Sequence, residues 1–298
     1  GSGHFLIGAV DHIALRMSAF LADHPVADVD AELGRLRETA VQRLSDVGVT
    51  ELPEIDPANL LRRQVARRCI YGVDINQIAV DLARLALWIH TFVPGLPMSS
   101  LEHGLVQGNA LTGIGTLDEA LEVLSAPPKG KRATTVMAGQ IAFGEEEIRA
   151  ALTASRDLLV QVKRTAEATA AEVVEAAAAY RTALVAAAPA KELLDAAVAS
   201  RLGLVNLPAT TIHGPVAVRA AARATDVQER LAELDALHFP VAFPEVFLRE
   251  RPGFDVILGN PPWEELQVEE LKFWAREVPG LKGKKPQEQK ADMTDLRR

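Results

Sequence analysis

Cys69-Ile70-Tyr71-Gly72-Val73-Asp74-Ile75-Asn76 is a β-branched and aromatic run that ends on a carboxylate, the pattern of a short buried strand. Asn76 is placed to cap a helix that begins immediately after it. From Ile78 apolar residues recur at Leu82, Leu85 and Ile89, the spacing of a helix packed on a sheet. Strand, carboxylate, helix is the βα unit of an open parallel sheet. Downstream, Pro94-Gly95-Leu96-Pro97 reads as a turn, and Leu105-Val106-Gln107 before Gly108-Asn109 as a second short strand end. Phe254-Asp255-Val256-Ile257-Leu258 is a further strand running directly into Gly259-Asn260-Pro261-Pro262-Trp263. The expectation is an α/β fold with a Rossmann-like, mostly parallel sheet and a long α-helical insertion.

Upstream, Gly1-Ser2-Gly3 leads straight into a helical apolar pattern from Phe5 to Phe20, which reads as a start inside a domain. A helix over about Val29–Leu44 and another over Leu60–Arg68 come next, with Pro53 and Pro57 between them. Between about Ala142 and Leu237 the composition shifts to Ala, Glu, Arg and Val. Leu152, Leu159, Ala166, Val173 and Tyr180 recur every seventh residue there, with Val162, Thr169 and Ala176 in the complementary seam. Pro189 and the loop Asn206–Pro215 break the pattern, predicting a long helix, a shorter one and a third over Val216–Leu237, folded back as an arm. Two readings of the arm stand: an insertion that packs on itself, or a surface that guides DNA or meets a partner. Beyond it, Leu266, Phe273 and Trp274 predict a helix, followed by a basic, mobile tail from Lys282 to Arg298.

The 298 residues carry a net charge of −8 and a single Cys, Cys69. The charge argues against nucleic-acid binding through an overall basic surface, and the lone Cys excludes an internal disulfide framework. No uninterrupted apolar run of membrane-spanning length and no signal peptide is visible, so the expectation is a cytoplasmic protein without a membrane partner. The seven His residues show no close ligand spacing with Cys or paired carboxylates, and no metal site is expected.

Asn260-Pro261-Pro262-Trp263 carries the most specific chemistry, because ligands of open α/β sheets bind outside the carboxyl ends of the strands. Two prolines hold the backbone rigid, so the Asn260 side chain and the Pro261 carbonyl are able to converge on one exocyclic amine. An aromatic amine is a poor nucleophile, and two acceptors favour the pyramidal form that attacks. Trp263 offers a face for a base extracted from a duplex. The bland alternative is a Pro-rich turn with a core Trp. Asp74 at its strand end suits a ribose, as acidic residues do in dinucleotide folds, with a solvated strand-end carboxylate as the alternative.

Gly259-Asn260-Pro261-Pro262-Trp263 resembles the catalytic motif of S-adenosylmethionine-dependent amino-methyltransferases, and Gly1-Ser2-Gly3-His4-Phe5-Leu6 resembles the second half of their cofactor motif. Arg68 to Asn76, with Ala79-Val80 and Leu87-Trp88, is similar to the second cofactor segment of large adenine-specific DNA methylases of restriction-modification type, including fused type IIG enzymes and phage-defence relatives. The resemblance implies S-adenosylmethionine as cofactor, held by Gly1, Ser2, Gly3, Phe5, Asp74, Ile75 and Asn109, although relatives often carry Asp where Asn109 stands. It implies catalysis at Asn260, Pro261, Pro262 and Trp263: methyl transfer to N6 of a flipped adenine in double-stranded DNA. Residues 1–140 then form the cofactor part, 141–237 the helical insertion and 238–298 the catalytic part. Restriction or defence-system subunits are the expected partners. The same motif also serves RNA and protein-glutamine methylation, and a non-catalytic DNA- or partner-binding subunit is the remaining alternative.

Overall fold

The computed structural model describes residues 3–51, 54–125, 138–205, 218–220 and 223–259. The chain divides into two units, Gly1–Asp255 and Val256–Arg298, of which the second is described only at its first four residues. The expected helix at Leu266–Trp274 and the basic tail lie outside the described residues.

The first unit opens on α1 (His4–Asp23), α2 (Ala27–Asp46) and α3 (Pro57–Cys69), followed by β1 (Gly72–Asp74), α4 (Gln77–His90) and β2 (Leu105–Gln107). α3 starts where Asp56 accepts the Ala58 N–H at 2.9 Å and Pro57 pre-sets the first turn. β1 and β2 pair in parallel, Gly72 opposite Leu105 and Asp74 opposite Gln107, with α4 as the crossover. A Cβ at Gly72 would come within 2.7 Å of the Leu105 side chain, so glycine is what lets the strands and α1 close up there. The sheet is smaller than the sequence predicts: among the described residues it has two strands, and β1 spans three half-buried residues rather than a buried run from Cys69.

The α4 expectation needs a second correction. Ile78, Leu82, Leu85 and Ile89 are exposed, and the face that packs is Val80, Ala83 and Leu87, against Val10, Ala14, Val65 and Ile70. α1 is, by length and composition, apolar enough to cross a membrane. Here Val10 and Ala14 pack into this core while Asp11, at mid-helix, pairs with Arg62 (3.1 Å) and His90 (2.8 Å).

Two long helices fill the insertion, α6 (Ala138–Arg164) and α7 (Ala170–Arg201), preceded by α5 (Leu117–Ser125) and followed by α8 (Thr225–Leu234). They share a core with Ile114 and Leu117: Ile148 and Leu152 of α6, Leu193, Leu194 and Val198 of α7, and Val227 and Leu231 of α8. Leu152, Leu159 and Val162 are buried as the heptads predict, but Ala166 and Thr169 fall in the turn between helices. The reason is a capping box: the Thr169 hydroxyl accepts the Glu172 N–H and the Glu172 carboxylate accepts the Thr169 N–H, which starts a new helix at Ala170. Pro189 does not break the pattern. α7 runs through it for 32 residues, giving up one backbone hydrogen bond. Of the third predicted helix, residues 218–220 are helical and α8 covers Thr225–Leu234, with a turn at residues 223–224 before it; the loop at 206–215 lies outside the described residues.

The turn of this hairpin is docked in the body. Three successive carbonyls, Thr165, Ala166 and Glu167, accept from Arg67, Gln64 and Arg63 of α3 at 3.0, 3.3 and 3.2 Å. Glu167 has a left-handed backbone (φ 51°), and its fully buried carboxylate lies 2.8 Å from the Arg67 guanidinium and accepts the Ser100 N–H at 2.8 Å. Burial pushes Arg63 down to about 10, with Arg67 beside it adding to the shift and Glu167 opposing it. The insertion therefore packs on the body at its turn as well as on itself. The two short helices α9 (Phe239–Ala242) and α10 (Pro244–Phe247) close the unit. Phe254–Leu258 is not a strand: Val256, Ile257 and Leu258 are exposed and no described residue pairs with them.

Candidate functional site

A parallel strand pair presents the carboxyl ends of both strands at one edge, and the loops leaving that edge are free to hold a ligand. Asp74 ends β1, and Gln107 ends β2 opposite it. The ladder continues one step further, the Gly108 N–H donating to the Asp74 carbonyl at 3.1 Å, which places Asn109 beside the loop after Asp74. The Asp74 carboxylate accepts the Asn76 N–H at 2.9 Å, and Asn76 in turn accepts the Ile78 N–H at 2.9 Å and so caps α4. Two successive side-chain caps fix the direction in which the chain leaves the strand. Between them Ile75 stands 61% exposed, an apolar face beside a carboxylate.

Gly3 precedes α1 with a left-handed backbone (φ 82°), and a Cβ there would lie 3.1 Å from the Ala83 Cα. The close approach that requires this glycine is therefore to α4, and it brings the start of α1 to the helix that Asp74 leads into. Phe5, in the first turn of α1, is exposed. Gly3, Phe5, Asp74, Ile75 and Asn109 are thus all described. Gly1, Ser2 and Asn260 to Trp263 lie outside the described residues.

Two residues at this edge were not expected from the sequence. The Gln107 side-chain amide donates to the Ile75 carbonyl at 3.3 Å and to the Asp235 carboxylate at 3.0 Å. Asp235 comes directly after α8 with a left-handed backbone (φ 46°), and the chain beyond it makes a parallel bridge, Asn109 opposite Ala236. The Asn109 N–H donates to the Asp235 carbonyl at 2.7 Å and the Leu237 N–H donates to the Asn109 carbonyl at 3.2 Å. Residues from 74, 107 and 235 meet through pairings 33 and 128 positions apart, which no local pattern encodes. The Asn109 side-chain oxygen accepts the Leu111 N–H at 3.0 Å, so this residue also builds the turn that leaves the edge.

Behind the bridge, His238 is almost fully buried. Its Nδ1 accepts the Ile114 N–H at 3.1 Å, so Nε2 carries the proton and donates to Asp195 at 2.9 Å. Burial by itself would raise the Asp195 pKa, but the hydrogen bond from His238 and the charge of Lys191 at 2.8 Å outweigh it and hold the carboxyl below its ordinary range. This pair fastens α7 to the residues after the bridge. Among the described residues no group of three or more His, Cys, Asp or Glu side chains is arranged to hold a metal ion.

The family model of the Eco57I restriction-modification methylases matches residues 68–295. No curated protein and no solved structure matches the chain. The matched stretch takes in the βαβ unit, the helical insertion and the residues from 238 onward, most of the sequence. The chain belongs to the Eco57I restriction-modification methylase family.

Proposed function

We propose that the chain is the catalytic core of a DNA adenine-N6 methyltransferase of restriction-modification or phage-defence type, using S-adenosylmethionine, with a Rossmann-like sheet completed around the β1–β2 pair. The observation that carries the reading is the edge at Asp74, taken with the family. Its donor set fits an adenosine moiety: a carboxylate at a strand end for the ribose hydroxyls, an exposed Ile75 for the flat face of the base, and the side-chain oxygen of Asn109, whose second lone pair is available for an amino edge. Gly1, Ser2, Gly3 and Phe5 complete the cofactor site at the start of α1. Bound there, the cofactor supplies an electrophilic methyl group.

The remaining work falls to the Asn260-Pro261-Pro262-Trp263 motif. Trp263 stacks on the flipped adenine. The Asn260 side-chain oxygen and the Pro261 carbonyl accept the two N6 hydrogens and draw the amine toward the pyramidal form, and Pro262 keeps those acceptors in place. The transfer is a direct in-line displacement without a covalent enzyme intermediate. Residues 1–140 and 238–298 form the two parts of the methylase and 141–237 the insertion, with double-stranded DNA as substrate and restriction or defence subunits as partners, in the cytoplasm. Asp74 is the direct test. Two hydrogen bonds to a charged acceptor are worth on the order of 1.5 to 3 kcal/mol each, so Asp74→Ala weakens S-adenosylmethionine binding by at least tenfold in calorimetry. Unchanged affinity removes Asp74 from the site.

A further inference from the structure

One buried cluster takes a side chain from each of three stretches far apart in the sequence. Tyr71 stands immediately before β1, Lys163 in the last turn of α6, and Glu245 in α10. The Tyr71 hydroxyl donates to the Glu245 carboxylate at 2.9 Å, and the Lys163 ammonium lies 3.1 Å from the same oxygen. Lys163 also donates to the Tyr71 hydroxyl and sits 4.1 Å from the centre of its ring. The Glu245 side chain is 6% exposed and that of Lys163 15%, so neither charge is solvated in the ordinary way.

Energetics say what such a cluster is good for. Desolvating a Lys and a Glu costs several kcal/mol, and a buried pair commonly stabilises a fold no better than apolar packing of the same volume. A hydrogen-bonded charge pair does, however, accept only one geometry. The surrounding apolar side chains alone would tolerate several: Phe243 packs edge-on to Tyr71 with centroids 5.0 Å apart, Phe254 lies 5.4 Å from Tyr71, and Phe239 and Phe247 contact Phe254. Aromatic rings slide; the Tyr71–Lys163–Glu245 hydrogen bonds do not.

The chain on either side shows which segments the cluster holds in register. Tyr71 is three residues before Asp74, about 10 Å along an extended backbone. Glu245 begins a stretch that is itself tied down: the Gly253 N–H donates to the Val246 carbonyl at 3.1 Å, and Arg249 pairs with Asp255 at 3.0 Å. Asn260 is five residues beyond Asp255.

We propose that Tyr71, Lys163 and Glu245 are positioning residues that fix the stretch leading to the Asn260 motif relative to the strand ending at Asp74, with the helical insertion supplying the third member. The inference rests on the function proposed above, which assigns the cofactor to the strand end at Asp74 and the amine to the motif that follows Asp255 in sequence. It gives the insertion a task within the reaction: Lys163 closes the junction between the two parts of the methylase that the insertion separates in sequence.

The test compares the parent protein with Tyr71→Phe, Lys163→Arg and the charge-neutral double variant Lys163→Met with Glu245→Gln, which leaves no unpaired buried charge. Hydrogen exchange, thermal unfolding, S-adenosylmethionine binding and single-turnover methylation are read on each. The double variant unfolds within a few degrees of the parent, yet amides of residues 244–259 exchange about tenfold faster while those of 72–74 do not change. Cofactor affinity stays within about twofold and the transfer rate falls about tenfold or more, a loss in kcat rather than KM. Tyr71→Phe shows a smaller loss of the same kind, and Lys163→Arg recovers part of it. Unchanged exchange at 244–259 in the double variant overturns the proposal, as does a uniform rise in exchange across the chain with a collapsed unfolding temperature, the mark of a purely structural cluster. A parent that neither binds the cofactor nor methylates DNA refutes the function instead, and the exchange pattern still decides the junction.

Discussion

Asn109 is already committed on both sides, its backbone to Asp235 and Leu237 and its side-chain oxygen to Leu111, so any ligand it meets finds it held. The Asn260 motif calls for the same question, binding or chemistry, and two substitutions answer it. In the proposed mechanism Asn260 acts mainly in the transition state, where the amine gains positive charge, so Asn260→Ala is expected to lower the transfer rate by about a hundredfold or more with cofactor and DNA affinity nearly intact. Trp263→Ala weakens base capture by about 1 to 3 kcal/mol, and Trp263→Phe recovers much of it. Single-turnover methylation with a fluorescent base analogue at the target position separates extrusion from transfer. Normal transfer by Asn260→Ala makes the motif a structural turn. A third residue prediction concerns acid. Asp195 has its pKa depressed in the folded protein, so its contribution to stability is present above the unfolded value near 4 and is lost as pH falls through the folded one. Urea midpoints measured from pH 6 down to pH 3 therefore fall, and Asp195→Asn, less stable at pH 6, loses less over the same range. An equally steep fall in both proteins contradicts the assignment.

At the scale of elements, the sequence was legible where the chemistry is local. Asn76 starts α4 through a hydrogen bond spanning two residues, as its place after the carboxylate predicts, and β1, α4 and β2 stand where the strand–carboxylate–helix pattern put them. The equally local caps at Asp56 and Thr169–Glu172 went unread, the heptad spacing having carried the helix through Thr169. It misled where two patterns coexist. α4 is apolar nearly all round: Ile78, Leu82, Leu85 and Ile89 make the more visible stripe, while Val80, Ala83 and Leu87 are the ones buried. Periodicity finds stripes and does not say which has a neighbour. The strand expected at Phe254–Leu258 failed for a related reason, since a strand needs an adjacent one to pair with and β-propensity supplies none. The third neighbour of the sheet edge, residues 235–237, carries no strand signal and is set by its bridge to Asn109. Gly113 tests that bridge. A Cβ there would overlap the Leu237 carbonyl, so Gly113→Ala must displace backbone rather than a side chain. Chemical denaturation then shows a loss of about 1 to 3 kcal/mol, and Gly34→Ala, where no atom lies nearby, shows no loss. A neutral Gly113→Ala means the bridge is not fixed as described.

The whole molecule joins a small parallel sheet to a long helical hairpin through buried charge at both ends: Arg63, Arg67 and Glu167 at the hairpin's turn, Asp195 and His238 toward its far end. The hairpin is tied to the body at both ends, so its influence on a reaction passes through the residues it touches. That makes the chemistry of the methylase edge the claim on which the rest depends. The measurement is incubation of the enzyme with labelled S-adenosylmethionine and duplex DNA, with nucleoside analysis of the product. The account predicts label in N6-methyladenine, formed slower by about a hundredfold or more with Asn260→Ala and absent when RNA or a glutamine peptide replaces the DNA. Label in N4-methylcytosine, RNA or protein, or none in any acceptor, contradicts it.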